Sequence, residues 1–311
     1  AECWGIAVAQ KGPERVLAGL QDCGTVLYRS DTADFARWAI LQGGDGMKPG
    51  MDEDDPQIIY TNDGNNNIIN RSTDGGRTWS KNLCPRNKPS VYRRPFMLNP
   101  SNNRSVFAGF DQLYKSTSRG DSMFAVSDVH PAVNENIQDF AVAPSDSSFL
   151  YVAYSNPCWN DDLKEKLYVS EDGGKNWHDR TAGLTGVNWY AISSVAVDAG
   201  DARSVYVGFV NGAKIKIMHS SDAGKTWEDQ SYDLPDNADV DCILTDTQAG
   251  KLYIGTHCGV WERSVSGNHW SKTGEGLPSV MISDLKMRRD THTLYAGTHG
   301  CGVWKIQVEM H

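Results

Sequence analysis

Val205-Tyr206-Val207-Gly208 is one copy of a phrase that decides the fold. The same apolar, often aromatic, apolar, small order returns as Val16-Leu17-Ala18-Gly19, Ile58-Ile59-Tyr60-Thr61, Val106-Phe107-Ala108-Gly109 and Leu150-Tyr151-Val152-Ala153. It returns again as Leu252-Tyr253-Ile254-Gly255 and Leu294-Tyr295-Ala296-Gly297, making seven copies spaced 42 to 55 residues apart. An apolar strand precedes each copy, as at Phe140 to Val142 and Val195 to Val197, and a third strand follows it, as at Val26 to Tyr28 and Ile215 to Met218. In six repeats a tryptophan or its stand-in opens a fourth strand: Trp38, Trp79, Met123, Trp177, Trp227 and Trp270. Four short strands at a period near 45 residues predict an all-β, seven-bladed β-propeller. Gly, Pro and Asn interrupt the chain too often for long helices.

A second phrase lies between the third and fourth strands. It reads Ser72-Thr73-Asp74-Gly75-Gly76-Arg77-Thr78-Trp79, then Ser170-Glu171-Asp172-Gly173-Gly174-Lys175-Asn176-Trp177, then Ser220-Ser221-Asp222-Ala223-Gly224-Lys225-Thr226-Trp227. Looser copies run from Ser116 to Met123, Ser264 to Trp270 and Ser30 to Trp38. An Asp in a hairpin accepts backbone N–H bonds, Gly supplies positive φ, and Trp packs between sheets. Asp74, Asp172 and Asp222 therefore read as residues of the fold, not catalytic acids.

This phrase resembles the Asp box, or BNR repeat, of sialidases, xyloglucan-cleaving enzymes, sortilin-type VPS10 domains and secreted bacterial propellers. The resemblance covers essentially the whole chain and implies one propeller domain over residues 1–311. Blade seven, ending at Gly302 to Val308, is expected to lack its outer strand, and strand-swapped closure is not expected. The family implies an extracellular or cell-surface location, with the periplasm also open.

In such a blade, successive turns alternate between the two faces of the disc. The boxes lie on one face. The loops between strands two and three, and the links between blades, lie on the other, around the mouth of the central channel. That second face gathers Asp22, Asp45, Asp63, Arg93, Arg94, Asp111, Trp159, Trp189, Tyr190, His257 and His299. Polar groups mixed with aromatics suit a glycan or a protein ligand, and polar loops also occur without any ligand. Asp22 and Asp45 are the candidate carboxylate pair, because glycosidases need two carboxyl groups about 5 to 9.5 Å apart across a cleft. Xyloglucan-cleaving relatives carry two propellers around that cleft, and this chain has one. Tyr92-Arg93-Arg94-Pro95 resembles the Arg-Ile-Pro phrase of sialidases, but few other arginines reach this face.

Six of the seven cysteines fall on or beside this face: Cys3, Cys23, Cys84, Cys158, Cys258 and Cys301. Three readings stay open. One is a set of disulfides fastening the ring in an oxidising compartment. Another is a metal held by His257, Cys258, His299 and Cys301, whose spacing is no CxxC pair. The third is buried thiols. No cofactor motif is present. The net charge of −9 argues against nucleic acid, and no apolar run is long enough to insert in a membrane. The leading expectation is a binding propeller for a glycan or protein. A glycoside hydrolase or lyase is the alternative, and a metal-dependent function at the Cys/His seam is the second alternative.

Overall fold

The computed structural model describes residues 1–32, 38–64, 68–80, 83, 95–126, 136–155, 166–184 and 192–308. Seven antiparallel sheets follow one another along the chain. Blade 1 is Cys3–Val8, Arg15–Leu20, Gly24–Arg29 and Trp38–Gln42; blade 2 is Gly50–Met51, Ile59–Asp63 and Ile68–Ser72. Blade 3 is Phe96–Asn99, Asn102–Gly109, Leu113–Ser116 and Phe124–Ala125; blade 4 is Asn136–Val142, Leu150–Ser155, Lys166–Ser170 and His178–Asp179. Blade 5 is Ile192–Val197, Val205–Phe209, Ile217–Ser220 and Glu228–Asp229; blade 6 is Val240–Asp246, Lys251–Thr256, Gly259–Ser264 and Ser271–Thr273. Blade 7 is Ile282–Arg288, Thr293–Thr298 and Gly302–Gln307, three strands among the described residues. The predicted seven-bladed propeller is the observed fold. One 3-10 turn, Thr181–Gly183, is the helical element among the described residues, and none there is long and apolar enough to cross a membrane.

The apolar interior divides into seven clusters, and each spans a seam between two adjacent blades. The recurring phrase supplies both devices that make a seam. Its small residue lets the next blade's innermost strand come close. A Cβ on Gly109 would sit 2.8 Å from Ile137, one on Gly208 2.7 Å from Val240, and one on Gly255 2.7 Å from Ile282. Its tyrosine reaches forward. Tyr60 donates its hydroxyl proton to the Arg119 carbonyl, and Tyr151 to that of Ala202. Trp79, Met123, Trp177 and Trp227 pack partly buried in the seam with the preceding blade, and Trp270 is buried there. Trp38 departs from the expectation. It is 44% exposed and packs on Tyr28, and Tyr28 itself lines the seam where Trp38 was expected.

The box turns owe their shape to a buried serine as much as to the aspartate. Ser72 Oγ accepts from the Gly76 and Asp74 amides, and the same two bonds recur at Ser170 and Ser220. The loose copy at Ser116 makes them too, with Ser118 in the aspartate's place. Backbone shape is kept while the letters change. Positions 75, 119, 173 and 223 are Gly, Arg, Gly and Ala, yet their φ values are 72°, 57°, 76° and 60°. In blade 6 the shortened copy uses a cation instead. Buried Arg263 donates to the carbonyls of Ser264, Val265 and Gly267 and stacks on Trp270 and Tyr232.

The aspartates are held as anions by these turns. The Thr78 hydroxyl and amide keep Asp74 far below the usual carboxylate range. The Asn176 amide and side chain bring Asp172 to about 2. At Asp222 burial pulls upward but is outweighed by the Thr226 amide and hydroxyl, again giving about 2.

Among the described residues the ring closes without disulfides. Cys3, Cys23, Cys242, Cys258 and Cys301 all carry free thiols, which corrects the disulfide expectation for Cys3, Cys23, Cys258 and Cys301. Cys84 and Cys158 lie outside the described residues. The Cys3 thiol is fully buried in the first innermost strand, against Gly297 of blade 7, and is pushed up to about 12 by that burial. Closure uses the contacts of the other seams. Asp284 Oδ2 accepts from the Ile6 amide at 2.9 Å, just as Asp139 Oδ2 accepts from Val195 at 2.9 Å between blades 4 and 5. Tyr295 and Lys305 of blade 7 both donate to Glu14, and Glu2 bridges to His299.

Two outcomes follow for stability. Gly255→Ala forces its methyl against Cys242 and Ile282 and is expected to cost about 1–3 kcal/mol in denaturant unfolding. A depressed carboxylate stabilises the fold above its unfolded pKa of about 4 and loses that contribution as pH falls through its folded value. Asp172→Asn is therefore expected to lower stability at neutral pH and to flatten the acid-unfolding curve between about pH 4 and 2.

Candidate functional site at the propeller axis

The innermost strands carry a common irregularity. Register slips between Cys3 and Gly5, Ile137 and Asp139, Ile192 and Ser194, Val240 and Cys242, and Ile282 and Asp284. Each slip is a one-residue bulge, which re-aims a side chain away from the pleat. The bulged residues are Trp4, Gln138, Ser193, Asp241 and Ser283, and all five line one cavity of about 340 Å³. Lys48 and Pro95, just ahead of the innermost strands of blades 2 and 3, line it too. Each of the seven blades thus gives one residue to the same axial pocket. Met47, Val210, Asn211, His257 and Met281 complete the wall.

The pocket opens where the innermost strands begin, at the end of the disc opposite the box turns. Val210, Asn211 and His257 come from loops between second and third strands. Directly beneath the bulges, side chains tie neighbouring blades together. Asp139 bonds the Val195 amide, Ser193 Oγ the Val240 carbonyl, Cys242 Sγ the Ile282 carbonyl and Asp284 the Ile6 amide. Lys48 Nζ lies 3.4 Å from Asp139 Oδ1, and Lys286 Nζ 2.7 Å from Asp284 Oδ1. On Lys48, burial lowers the pKa, but Asp139 and Asp284 outweigh it and the ammonium is held above its ordinary value.

His257 Nε2 lies 3.3 Å from Asp241 Oδ2. The hydrogen bond that His257 donates to Asp241 raises its pKa against partial burial. His299 Nε2 faces Glu2 at 3.4 Å, and its ring meets Trp4 edge-on at 5.3 Å. The two histidines thus pair with different acids. Among the described residues no three His, Cys, Asp or Glu side chains are grouped to hold a metal ion.

Other candidates from sequence fall around this mouth or outside the description. Asp45 is buried, and its Oδ1 accepts from the Asp22 amide at 2.7 Å. That bond pins the loop of Asp22, whose φ is 57°. Asp63 packs its carboxylate on Gly44, and Asp111 is half-buried beside the buried Phe110. Arg93, Arg94, Trp159, Trp189 and Tyr190 lie outside the described residues. Trp4, Lys48, Gln138, Ser193, Asp241 and Ser283 were not singled out from sequence. A signal exists in hindsight: the apolar–variable–small or polar triplets Cys3-Trp4-Gly5, Ile137-Gln138-Asp139, Ile192-Ser193-Ser194, Val240-Asp241-Cys242 and Ile282-Ser283-Asp284.

With this geometry in place, the comparisons are coherent. Residues 67–211 match the family model of sortilin–Vps10 (sortilin, neurotensin receptor 3). This chain resembles the Asp-box propellers. A solved structure of YCF48 bound to D1 peptide superposes with a TM-score of 0.66 at 12% identity, over 99% of this chain and 94% of that one. The GH74 enzyme of Niastella koreensis gives a TM-score of 0.51 at 11% identity, over 98% of this chain and 60% of that one. At these identities both structures report the shared fold. No curated protein sequence matches this propeller.

Removing the partner of His257 tests the pairing. Asp241→Asn is expected to lower the His257 pKa towards the ordinary histidine value of about 6.5, read by NMR titration of the ring. An unchanged titration would show that Asp241 does not hold the proton there.

Proposed function

We propose that this chain is a secreted or surface-exposed binding propeller that takes a segment of a protein partner into the axial mouth opposite the box turns. The observation that carries this reading is the cavity to which all seven blades contribute. Its size falls in the range of ligand pockets, about 300–1,000 Å³. Its wall mixes Trp4, Met47, Pro95, Val210 and Met281 with a few convergent polar groups. Methionines adapt their shape to varied side chains, which suits peptide recognition. The peptide-bound state of the YCF48 propeller supports a protein ligand over a glycan for this reading.

A hydrolytic role is the second reading, with Asp22 and Asp45 as its acid pair. The GH74 neighbour supports it at the level of fold. The bond from the Asp22 amide to the Asp45 carboxylate gives Asp45 a role in holding the loop, and that favours binding over chemistry.

Peptide and glycan arrays probed with the wild type, Trp4→Ala and Asn211→Gly decide between these readings. Asn211 has a φ of 65°, so glycine keeps the loop and removes only the side chain. Peptide binders are expected, weakened at least about tenfold by either variant, a loss of about 1.4 kcal/mol. Binding confined to glycans overturns the protein-segment reading. Release of reducing sugar that disappears in Asp45→Asn replaces it with the hydrolase.

A further inference from the structure

The rim of the disc holds a strand edge open to pairing. Blades 1, 3, 4, 5 and 6 each carry a fourth strand on the outer edge of the third, whereas blade 7 has three strands among the described residues. The register of blade 7 fixes what its last strand, Gly302–Gln307, presents at that edge. The Val308 amide donates to the His292 carbonyl, and Ile306 lies opposite Leu294. Antiparallel pairing alternates, so the amides and carbonyls of Val303, Lys305 and Gln307 point away from the sheet. In blade 6 the same edge is occupied. Its third strand opens Gly259-Val260-Trp261 as this one opens Gly302-Val303-Trp304, and Thr273, Lys272 and Ser271 lie opposite Val260, Trp261 and Glu262. Trp261 is partly buried there, whereas Trp304 is 37% exposed.

Apolar cover is short at the same blade. Trp79, Trp177 and Trp227 share their seams with Leu41, Val126 and Leu184, each from the preceding blade's outer strand or the residues just after it. Trp38 holds the corresponding place in blade 1, and the blade before it in the ring is blade 7. Trp38 and Ile40 lie opposite Tyr28 and Val26, which pack into the seam with blade 7, so both face that side. They are 44% and 74% exposed. On the other flank, Tyr253 of blade 6 reaches into the seam with blade 7. Tyr60 and Tyr151 each find a carbonyl of the next blade, but the buried Tyr253 hydroxyl has no partner among the described residues.

We propose that this edge docks an extended segment of a partner protein, which pairs antiparallel with Gly302–Gln307 as the fourth strand of blade 7 and lays alternate apolar side chains on Trp38 and Ile40. Val303 packs in the closing seam and Lys305 pairs with Glu14, so the segment's residues opposite those two face blade 1. In strand addition the main chain gives affinity and the alternate side chains give selectivity. The shape of the edge chooses the occupant. Blades 6 and 1 carry fourth strands on either side, Ser271–Thr273 and Trp38–Gln42. The edge of blade 7 is therefore set back by one strand spacing, about 4.8 Å. A single extended segment fits such a notch. A second copy of this disc, set back in the same way, meets the flanking blades first. The site lies at the rim and does not depend on what the axial mouth binds.

The test uses a fluorescein-labelled peptide that copies residues 268–276, the outer strand of blade 6 with its flanks. Its binding to the full chain is read by fluorescence anisotropy, and the bound state by amide hydrogen exchange. The peptide is expected to bind and to slow exchange at the Val303, Lys305 and Gln307 amides. Lys305→Pro removes one outward amide, and proline is tolerated on a strand edge whose N–H faces outward. It is expected to weaken binding at least about tenfold, equivalent to about 1.4 kcal/mol, while Lys305→Ala stays within about twofold of wild type. Ile40→Ser, at an exposed position, is expected to weaken binding as well and covers the case in which Lys305→Pro does not fold. Unchanged exchange at all three amides with the peptide in excess overturns the proposal. So does wild-type affinity in Lys305→Pro and Ile40→Ser. A concentration-dependent dimer of the chain in sedimentation, lost in Lys305→Pro, gives the edge to a second copy and overturns it too.

Discussion

The structure depends on how closely one blade's second strand approaches the next blade's innermost strand. The strand-pairing hydrogen bonds run within each sheet, so side chains must join neighbouring sheets. Near the axis the space is too small for ordinary side chains on both sides. One partner therefore gives up its side chain, as at Gly109, Gly208, Gly255 and Gly297, and the other fills the gap with Ile137, Val240, Ile282 or Ile6. A set of side chain to main chain bonds from Asp139, Ser193, Cys242 and Asp284 fixes the same seams from the axial side. Tyrosines and box tryptophans do the equivalent work farther out. Four of the seven seams repeat this one contact.

That repetition is why the fold was legible. Each copy of the phrase must satisfy the same packing, so the same residue classes recur at a fixed period. The box turns were equally plain, and the buried serine explains why serine opens the copies at Ser72, Ser116, Ser170 and Ser220. Legibility failed where the answer depended on geometry between repeats. Cysteines gathered by one face suggested bridges, yet Cys3 serves as a small buried side chain pressed against Gly297. Trp38 has the box position in a copy one residue longer than the others, and Tyr28 takes the inner place. Arg263 does an aspartate's task from the preceding strand, with opposite charge and reversed hydrogen-bond polarity.

The site was legible as a face and hidden as a set of residues. Alternating turns placed the mouth of the axial pocket opposite the boxes. A bulge, however, is a slip in pairing between two strands, and no single strand's sequence announces it. The bulged residues fall two places before the apolar stretch of their innermost strands, where a simple alternation would send them elsewhere. Because the bulge fixes the backbone and not the letter, tryptophan, glutamine, serine and aspartate occupy equivalent positions. The ring can therefore vary its ligand chemistry one blade at a time while the seams beneath stay the same.

The closing seam between blades 7 and 1 has a further consequence. Six seams join blades that a short link also holds together, whereas this one joins strands 278 residues apart, Ile6 and Asp284. If a linked seam separates, its two halves stay at high local concentration. If the closing seam separates, they are held only by the rest of the disc, and longer loops lose more entropy on rejoining. The molecule is mechanically a split washer, with its gap at Cys3, Ile6 and Gly297. Hydrogen exchange at the Ile6 amide reports how often that gap opens, and each opening also loosens the wall that holds Trp4.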